Sequence, residues 1–288
     1  MRPARPDLAP AADLSRDEME SLQREIARCA TFADDFAFDV DAVGGAADAA
    51  ADGQSTLDAH GGDADGSGAP DPAATDGDAS PDERPLVAGV DQAFLDDRAV
   101  SAVVLLRGSE VVERVHAVEP LTIPYVPGLL SFREGGSILA AFERLERDPD
   151  LALFDGSGRL HFREAGLATH LGVVLDLPSV GVAKSLLCGR PHEDVDGRPA
   201  GWRTPILADG DVEGPDGPLD PETVVGYAFQ SRQYDSRPVV NPLYVSPGTR
   251  VSAETAVDLV ERLGGEYKLP EPTRLADAYA DEVKAEYA

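Results

Sequence analysis

The chain has few cysteines and no long apolar run. Its 288 residues include two cysteines, Cys29 and Cys188, which cannot form a disulfide framework or a closed zinc site. No apolar stretch reaches the length of about 18 residues that a membrane-spanning helix needs. The segment that follows Met1 is rich in Pro, Asp and Ala instead of apolar residues, so we expect no signal peptide. These absences predict a soluble, cytoplasmic protein that does not associate with a membrane, with enough chain for one large domain or two small ones.

Lysine is also scarce. The chain carries 53 acidic and 25 basic residues, and the lysines are Lys184, Lys268 and Lys284. Few lysines and abundant aspartate favour a protein that works in concentrated salt, where the Debye length falls to about 3 Å at 1 M and self-repulsion is screened. The alternative is an ordinary acidic protein of a non-halophilic source. A net charge of −28 also argues against a nucleic-acid partner, because phosphate binding usually leaves a basic patch.

Half of that charge lies in one segment. Residues 34–83 contain 14 acidic residues and no Lys or Arg, and Gly, Ala, Pro, Ser and Asp dominate their composition. Such a segment has too little apolar surface to offset the entropy lost on ordering. We therefore predict a disordered acidic insert over 34–83. A regulatory segment that mimics nucleic acid is the alternative.

The residues before the insert predict one helix. Ser15 and Glu18 fit a capping box. Met19, Leu22 and Ile26 then follow at near-helical spacing as far as about Cys29. The region 1–33 is therefore expected to supply an amphipathic helix that packs on the core.

The part that follows the insert, 84–288, predicts a mixed α/β domain. Strands are expected at Leu86–Val90, Ala99–Leu106, Val111–Val118, Leu151–Phe154, Ser179–Ala183, Val224–Phe229 and Pro242–Val245. Helices are expected at Glu134–Arg147, Glu164–Leu175, Ala253–Leu263 and Thr273–Glu286. An antiparallel meander that leads into parallel strands with flanking helices is the order of a ribonuclease H-like fold, although other mixed α/β folds share it.

Three carboxylates occupy places where this fold would bring them together. Asp91 and Asp155 each follow a short apolar strand, and Glu134 opens the helix between them. An acid at the end of a buried strand is desolvated unless it is paired, and carboxylate oxygens are preferred ligands of Mg²⁺. Such a set can serve phosphodiester hydrolysis. For each acid alone, a helix cap, a turn or a surface position is the alternative interpretation.

An aromatic residue stands between two prolines upstream of Glu134. Pro124 and Pro127 stiffen the segment that carries Tyr125 and Val126. An aromatic side chain presented in this way can stack on a base or enter a helix as a wedge. Simple packing of a Tyr-Pro loop is the alternative.

These segments closely resemble the endonuclease V family, repair nucleases that cut beside deaminated adenine. The matching stretches cover about residues 86–277: Val87–Asp91, Pro124–Gly135, Asp155–Gly156, Gly166–Gly172, Gly181–Ser185, Val245–Gly248 and Glu271–Arg274. The resemblance implies a ribonuclease H-like domain in which Asp91, Glu134 and Asp155 bind Mg²⁺ or Mn²⁺. It further implies hydrolysis of the second phosphodiester bond 3′ to a hypoxanthine, in inosine-containing DNA or RNA, by a monomer.

The resemblance also assigns residues to the substrate. Tyr125, within Pro124–Pro127, falls on the wedge that separates the strands, and Lys184 falls on a catalytic lysine near the phosphate. The flipped base would lie in a pocket built largely from the backbone of the glycine-rich segments, including Gly128, Gly156 and Gly181. His161 is expected to line that pocket or to serve structure, as is His170, because hard oxygen ligands suit the metal better.

One departure from the family pattern bears on activity. The family usually has an active-site histidine after Ser-Pro-Gly, and Thr249 stands there in this chain. A hydroxyl cannot exchange protons near neutral pH as imidazole does. An inosine-binding protein with weak or no cleavage is therefore an alternative, and a junction-specific nuclease of the same fold is another.

The acidic charge can be reconciled with a nucleic-acid partner. A bound metal ion supplies positive charge where the phosphate must lie. A local groove is expected to be lined by Arg133, Arg163, Lys184 and Arg274.

Overall fold

The computed structural model describes residues 1–44, 83–234 and 240–287. The helices are α1 (Arg16–Cys29), α2 (Leu130–Phe142), α3 (Leu167–Leu175), α4 (Ala253–Arg262) and α5 (Glu271–Tyr287). The first five strands are β1 (Leu86–Phe94), β2 (Arg98–Arg107), β3 (Glu110–Pro120), β4 (Leu151–Phe154) and β5 (Ser179–Ala183). The remaining strands are β6 (Arg190–Pro191), β7 (Arg203–Leu207), β8 (Glu213–Gly214), β9 (Gly217–Pro218), β10 (Val224–Phe229) and β11 (Leu243–Thr249).

Nine strands form one mixed sheet in the order β3-β2-β1-β4-β5-β11-β10-β7-β6. β1, β2 and β3 are an antiparallel meander, and β1, β4 and β5 run parallel to one another. The sequence predicted this arrangement, and the ribonuclease H-like fold is confirmed. Parallel strands of this kind place their carboxyl ends at one edge of the sheet, which is where the functional residues lie.

Helices cover both faces of the sheet. The alternation of side chains along each strand sends Ala88 and Val90 of β1 toward α2 and α3, and Val87 toward the α4 side. α5 packs on β1, where a Cβ on Gly89 would lie 1.9 Å from the carbonyl oxygen of Pro272. Glycine is therefore needed at position 89 for this helix to approach the strand.

The N-terminal helix has the predicted start. Ser15 caps α1 in a capping box with Glu18. Met19 and Ile26 are buried on its inner side, and Ile26 belongs to the core beneath α2 and α3. The prediction that this region packs on the core is in agreement with these contacts.

The predicted insert is shorter at its N-terminal end. Val43 is buried in the core beside α4, and Phe36 stacks on Phe38 with ring centroids 4.3 Å apart. Asp34 accepts a hydrogen bond of 2.6 Å from the backbone nitrogen of Ser252, next to the start of α4. The prediction of disorder is wrong for 34–44, because its few apolar residues find partners on α4. Residues 45–82 lie outside the described residues.

Other boundaries differ modestly from the prediction. α2 begins at Leu130 and not at Glu134, so Glu134 lies in its second turn. β6 to β9 were not predicted, because three of these strands have two residues each and carry no pattern. Among the described residues, no helix is long and apolar enough to cross a membrane.

Candidate active site

Three predicted site residues lie at one edge of three adjacent parallel strands: Asp91 is in β1, one residue beyond its parallel pairing with β4, and Asp155 and Lys184 follow the ends of β4 and β5. Val90 pairs with Phe154 in register, and the backbone nitrogen of Asp155 donates to the carbonyl of Val90 at 3.0 Å, so Asp91 and Asp155 adjoin. Lys184 follows β5 on the far side of β4, and its Nζ lies 2.6 Å from Oδ2 of Asp155. Side-chain alternation directs all three toward the face covered by α4 and α5. The structure therefore brings Asp91, Asp155 and Lys184 together as the sequence predicted.

Asp91 is held in an environment that disfavours its charge. It is 7% exposed, and one carboxylate oxygen, Oδ1, accepts a hydrogen bond of 2.7 Å from the backbone of Gln92. Burial, followed by repulsion from Asp155, raises the pKa of Asp91 to about 8. Oδ2 is buried without a hydrogen-bond partner among the described residues. A bound cation would offset both the burial of this unpaired oxygen and the repulsion between the two carboxylates.

Glu134 reaches the same edge of the sheet from the opposite face. It lies on α2 and is 5% exposed, and Gln92 Nε2 lies 3.5 Å from its backbone oxygen. Burial raises the pKa of Glu134 to about 7, with Asp155 adding to the rise and Arg133 opposing it. The charge of Asp155 thus acts on both Asp91 and Glu134.

These carboxylates fit a divalent cation in kind, although they do not form a closed ligand set. Within the described ranges, no three His, Cys, Asp or Glu side chains are arranged around a common point. One reason is geometric, because Asp91 and Asp155 project on the α5 side whereas Glu134 comes from α2. The orphaned Oδ2 of Asp91 and the hard oxygen donors nevertheless suit Mg²⁺ or Mn²⁺. The metal site stays a prediction.

Sequence reasoning missed a fourth acid, Asp277 on α5. Its negative charge helps to raise the pKa values of Asp91 and Lys184, so it lies near both side chains. For Lys184 burial is the largest influence and lowers the pKa, but Asp155 and the other carboxylates outweigh it and raise it overall. No sequence signal marked Asp277, because it lies one helical turn beyond the buried Thr273 but is itself exposed, and only packing decides which side of α5 meets the sheet.

The aromatic loop is exposed where it carries Tyr125. This side chain is 66% exposed, and the adjoining Pro124 and Pro127 are also exposed. Val126 is half-buried against a cluster that includes Leu129 and Phe132. The loop is thus anchored through its aliphatic residues and presents a phenol ring to solvent, as a wedge would require.

Of the predicted pocket residues, Gly128 and His161 lie together. Gly128 has φ +82°, a conformation that favours glycine, and a Cβ there would lie 3.0 Å from the ring of Phe162. His161 Nε2 donates to the Gly128 carbonyl at 3.0 Å, and burial lowers the pKa of His161 to about 4. His161 and His170 are both buried and hydrogen-bonded, in agreement with a structural role.

Gly156 and Gly181 form the base of the loop that follows Asp155. A Cβ on Gly181 would lie 2.5 Å from the carbonyl oxygen of Gly156 and 2.4 Å from the nitrogen of Gly158. Gly181 therefore lies against the backbone of this loop, and its place in a base pocket stays a prediction. Its role is to let the loop lie against β5.

The predicted basic groove is only partly present. Lys184 is half-exposed at the site. Arg133 donates to the carbonyl of Ile123 at 2.6 Å and stacks on Phe94. Arg163 pairs with Glu20 of α1 at 2.7 Å, and Arg274 pairs with Glu271 at 2.6 Å. The charges of Arg163 and Arg274 are thus paired with neighbouring carboxylates of the protein and are less available to phosphate.

Thr249 does not belong to the active site. It is buried at the end of β11, where its nitrogen donates to the hydroxyl of Ser179 and its own hydroxyl accepts from the nitrogen of Thr31. Ser179 begins β5 whereas Lys184 follows its end, so Thr249 lies about 17 Å from Lys184 along the strand, at about 3.3 Å per residue. The expectation that Thr249 replaces an active-site histidine is wrong, and the argument for a non-cleaving protein loses its basis.

Sequence comparison shows the family of this chain. The sequence profile of Endonuclease V matches residues 74–278. The Endonuclease V of Haloarcula marismortui is 56% identical over 288 residues, covering 99% of this chain and 98% of that protein. A relative from a halophilic archaeon fits the charge and the scarcity of lysine.

Solved structures share the fold. The crystal structure of Endonuclease V from Streptomyces avermitilis matches with a TM-score of 0.68 and 29% identity, covering 98% of this chain and 97% of that one. Ciona intestinalis Endonuclease V, solved with a 24mer DNA containing an inosine followed by a ribo-adenosine, has a TM-score of 0.64 and 21% identity, covering 94% of this chain and 98% of that one. The chain therefore belongs to the Endonuclease V family and is a nuclease.

Proposed function

We propose that this nuclease recognises hypoxanthine in nucleic acid and hydrolyses the second phosphodiester bond on its 3′ side, with Mg²⁺ or Mn²⁺ as cofactor. The observation that carries the proposal is the adjacency of Asp91 and Asp155, which both come directly after the last parallel pair of β1 and β4, with Oδ2 of Asp91 buried and unpaired among the described residues. The inosine-containing DNA bound to the Ciona relative supports the choice of substrate.

Asp91, Glu134 and Asp155 would hold the metal. A divalent cation at such carboxylates lowers the pKa of water and stabilises the leaving oxygen. Lys184 uses one contact on Asp155, and an ammonium group has three donors, so the others remain available to a phosphate oxygen. The lysine thus places a fixed positive charge beside the carboxylates, in a protein whose net charge is −28.

Tyr125 is proposed to hold the strands apart. Its ring projects from a loop stiffened by two prolines and anchored by Val126. A base that pairs weakly costs less to extrude from a duplex, so a wedge next to the site favours deaminated bases over normal ones. Both DNA and RNA can contain such a base. We propose that the protein is a monomer and that DNA is its main substrate.

The decisive test is nicking of a duplex that contains one inosine. Replacing Asp91→Asn keeps the size of the side chain and removes its charge, so we expect nicking to fall by about 10³-fold or more. The assay is run in about 2 M KCl with Mg²⁺ or Mn²⁺, on matched DNA and RNA duplexes. Binding is measured in parallel.

The matched control is Asp211→Asn, which makes the same change at an exposed position. This variant should nick as the wild type does. If Asp91→Asn retains nicking, the carboxylate assignment is wrong. If the wild type binds the inosine duplex but does not nick it, the proposed reaction is wrong.

A further inference from the structure

α1 sends one polar side chain into the interior next to the aromatic loop. Gln23 is fully buried, and its Nε2 donates to the carbonyl of Gly128 at 2.7 Å. Burying a primary amide is unfavourable unless its donors and acceptor are satisfied. Gln23 therefore ties α1 to the residue at which the loop from β3 turns into α2.

Gln23 belongs to a closed ring of hydrogen bonds. The Gly128 carbonyl also accepts from His161 Nε2 at 3.0 Å, and His161 Nδ1 accepts from the backbone nitrogen of Arg163 at 3.2 Å. Arg163 Nη1 completes the ring by donating to Gln23 Oε1 at 3.2 Å. Each contact fixes the orientation of the next, because Arg163 can only donate and the carbonyl can only accept.

A second contact supports the ring from α1. Arg163 Nη2 pairs with Glu20 at 2.7 Å, and both side chains are mostly buried. Arg163 therefore donates to two acceptors, Glu20 and Gln23, on successive turns of α1. This use explains why it is not part of a basic groove.

Apolar contacts reinforce the same connection. Residues of α1 and of the loop share one cluster, formed by Leu14, Met19, Leu22, Ile123, Val126, Leu129 and Phe132. The loop that presents Tyr125 thus rests on α1 by its apolar side chains, and Gln23 fixes the position of its end. Tyr125 itself stays exposed.

From this geometry we propose that Gln23 is a positioning residue for the nuclease, which acts by holding the Gly128 carbonyl and, through it, the Tyr125 loop. The proposal rests on the proposed function, in which Tyr125 separates the strands. Gln23 is buried and acts on the loop, so its effect is confined to steps that depend on where the loop lies. Duplex substrates need strand separation and single strands do not.

The test compares Gln23→Met with Ile26→Val. Methionine keeps the volume of glutamine and cannot donate to Gly128, whereas Ile26→Val shortens a fully buried side chain on the same helix that makes no polar contact. We expect Gln23→Met to lower kcat/KM on an inosine duplex by about tenfold and on the inosine single strand by less than about threefold. Ile26→Val should leave the ratio of kcat/KM on the duplex to kcat/KM on the single strand unchanged.

A double-mutant cycle with Tyr125→Ala follows. If Gln23 acts through Tyr125, the two changes are non-additive on the duplex, and the double variant is little worse than Tyr125→Ala alone. Equal losses on duplex and single strand, with additive effects, would overturn the proposal. They would show that Gln23 serves stability alone.

A measurement that needs no nuclease activity separates this proposal from the proposed function. Chymotrypsin cleaves after exposed aromatic residues, so cleavage after Tyr125 reports how firmly the loop is held. We expect faster cleavage there in Gln23→Met than in Ile26→Val or wild type, in folded protein. Unchanged cleavage overturns the positioning role, and a wild type that cannot nick inosine overturns only the proposed function.

Discussion

His170 is a titratable side chain that the fold keeps neutral. It is fully buried, its Nε2 donates to the carbonyl of Leu8 at 2.9 Å, and its Nδ1 accepts from the hydroxyl of Ser131 at 2.9 Å. Burial lowers its pKa from 6.5 to about 4. Between these two pH values the unfolded chain binds a proton that the folded chain does not, so stability present above pH 6.5 is lost as the pH falls.

Replacing His170→Gln should flatten this dependence. Glutamine can both donate and accept but does not titrate, so the variant should escape a loss of about 2 kcal/mol that the wild type suffers between pH 7 and pH 4.5. The free energy of unfolding is measured in urea at several pH values and constant KCl. His161 is present in both proteins and contributes to both profiles, so parallel pH profiles would contradict the assignment to His170.

At the residue scale, the sequence predicted those site residues that interrupt an apolar pattern. Asp91 and Asp155 stand out because each follows a run of apolar residues, and their adjacency follows from parallel pairing of β1 with β4. Asp277 and Gln23 do not stand out, because polar residues are expected on any amphipathic helix and the side that they face is decided by packing. Thr249 was misplaced because a short sequence match carries no information on which edge of the sheet it occupies.

At the element scale, the placement of α5 depends on Gly89. A Cβ at this position would lie 1.9 Å from the carbonyl oxygen of Pro272, so Gly89→Ala must displace the helix from β1. We expect the free energy of unfolding to fall by about 1–3 kcal/mol. Because α5 also carries Asp277, nicking should decrease in protein that is still folded.

Gly136→Ala is the matched control for this substitution. Gly136 is an exposed residue of α2, and no atom of the described chain lies within 4 Å of an added Cβ. Alanine there should raise stability by up to about 1 kcal/mol, because it is the better helix former. The free energy of unfolding in denaturant and the nicking rate are measured for Gly89→Ala and Gly136→Ala. A Gly89→Ala protein as stable as the wild type would contradict the close approach of α5.

Elements were predictable where a periodic pattern was long enough. The strands of the meander and the capping box of α1 were found, since alternation and helix capping are local signals. The start of α2 was missed because the helix begins at Leu130, after the positive φ of Gly128, and Leu129 at its N-cap makes no side-chain capping bond. The order of 34–44 was also missed, because it depends on α4, more than two hundred residues away.

At the scale of the whole molecule, the acidic segment is joined to the sheet far from the active site. Gly44 and the side chain of Arg84 both lie beside Gly108, in the turn between β2 and β3. Leu86 begins β1 there, and Asp91 lies about 17 Å along the strand, at about 3.4 Å per residue. Charges in 45–82 are thus attached at the opposite end of the strands from the carboxylates.

Charge carried by this segment is expected to repel a nucleic-acid substrate to an extent that depends on salt. Residues 45–82 contain nine aspartates and no Lys or Arg. The Debye length is about 10 Å at 0.1 M salt and about 3 Å at 1 M, so repulsion of phosphates by the segment is appreciable in dilute salt and negligible in concentrated salt.

Replacing 45–82 by a short Gly-Ser linker tests this expectation. In about 2 M KCl the shortened protein should nick an inosine duplex within about twofold of the wild type, and in about 0.1 M KCl it should bind the duplex several-fold more tightly. A full-length variant with the nine aspartates changed to asparagine should behave like the shortened protein, because charge and not chain length is responsible. Loss of nicking in concentrated KCl would show instead that the segment contributes direct contacts to the reaction.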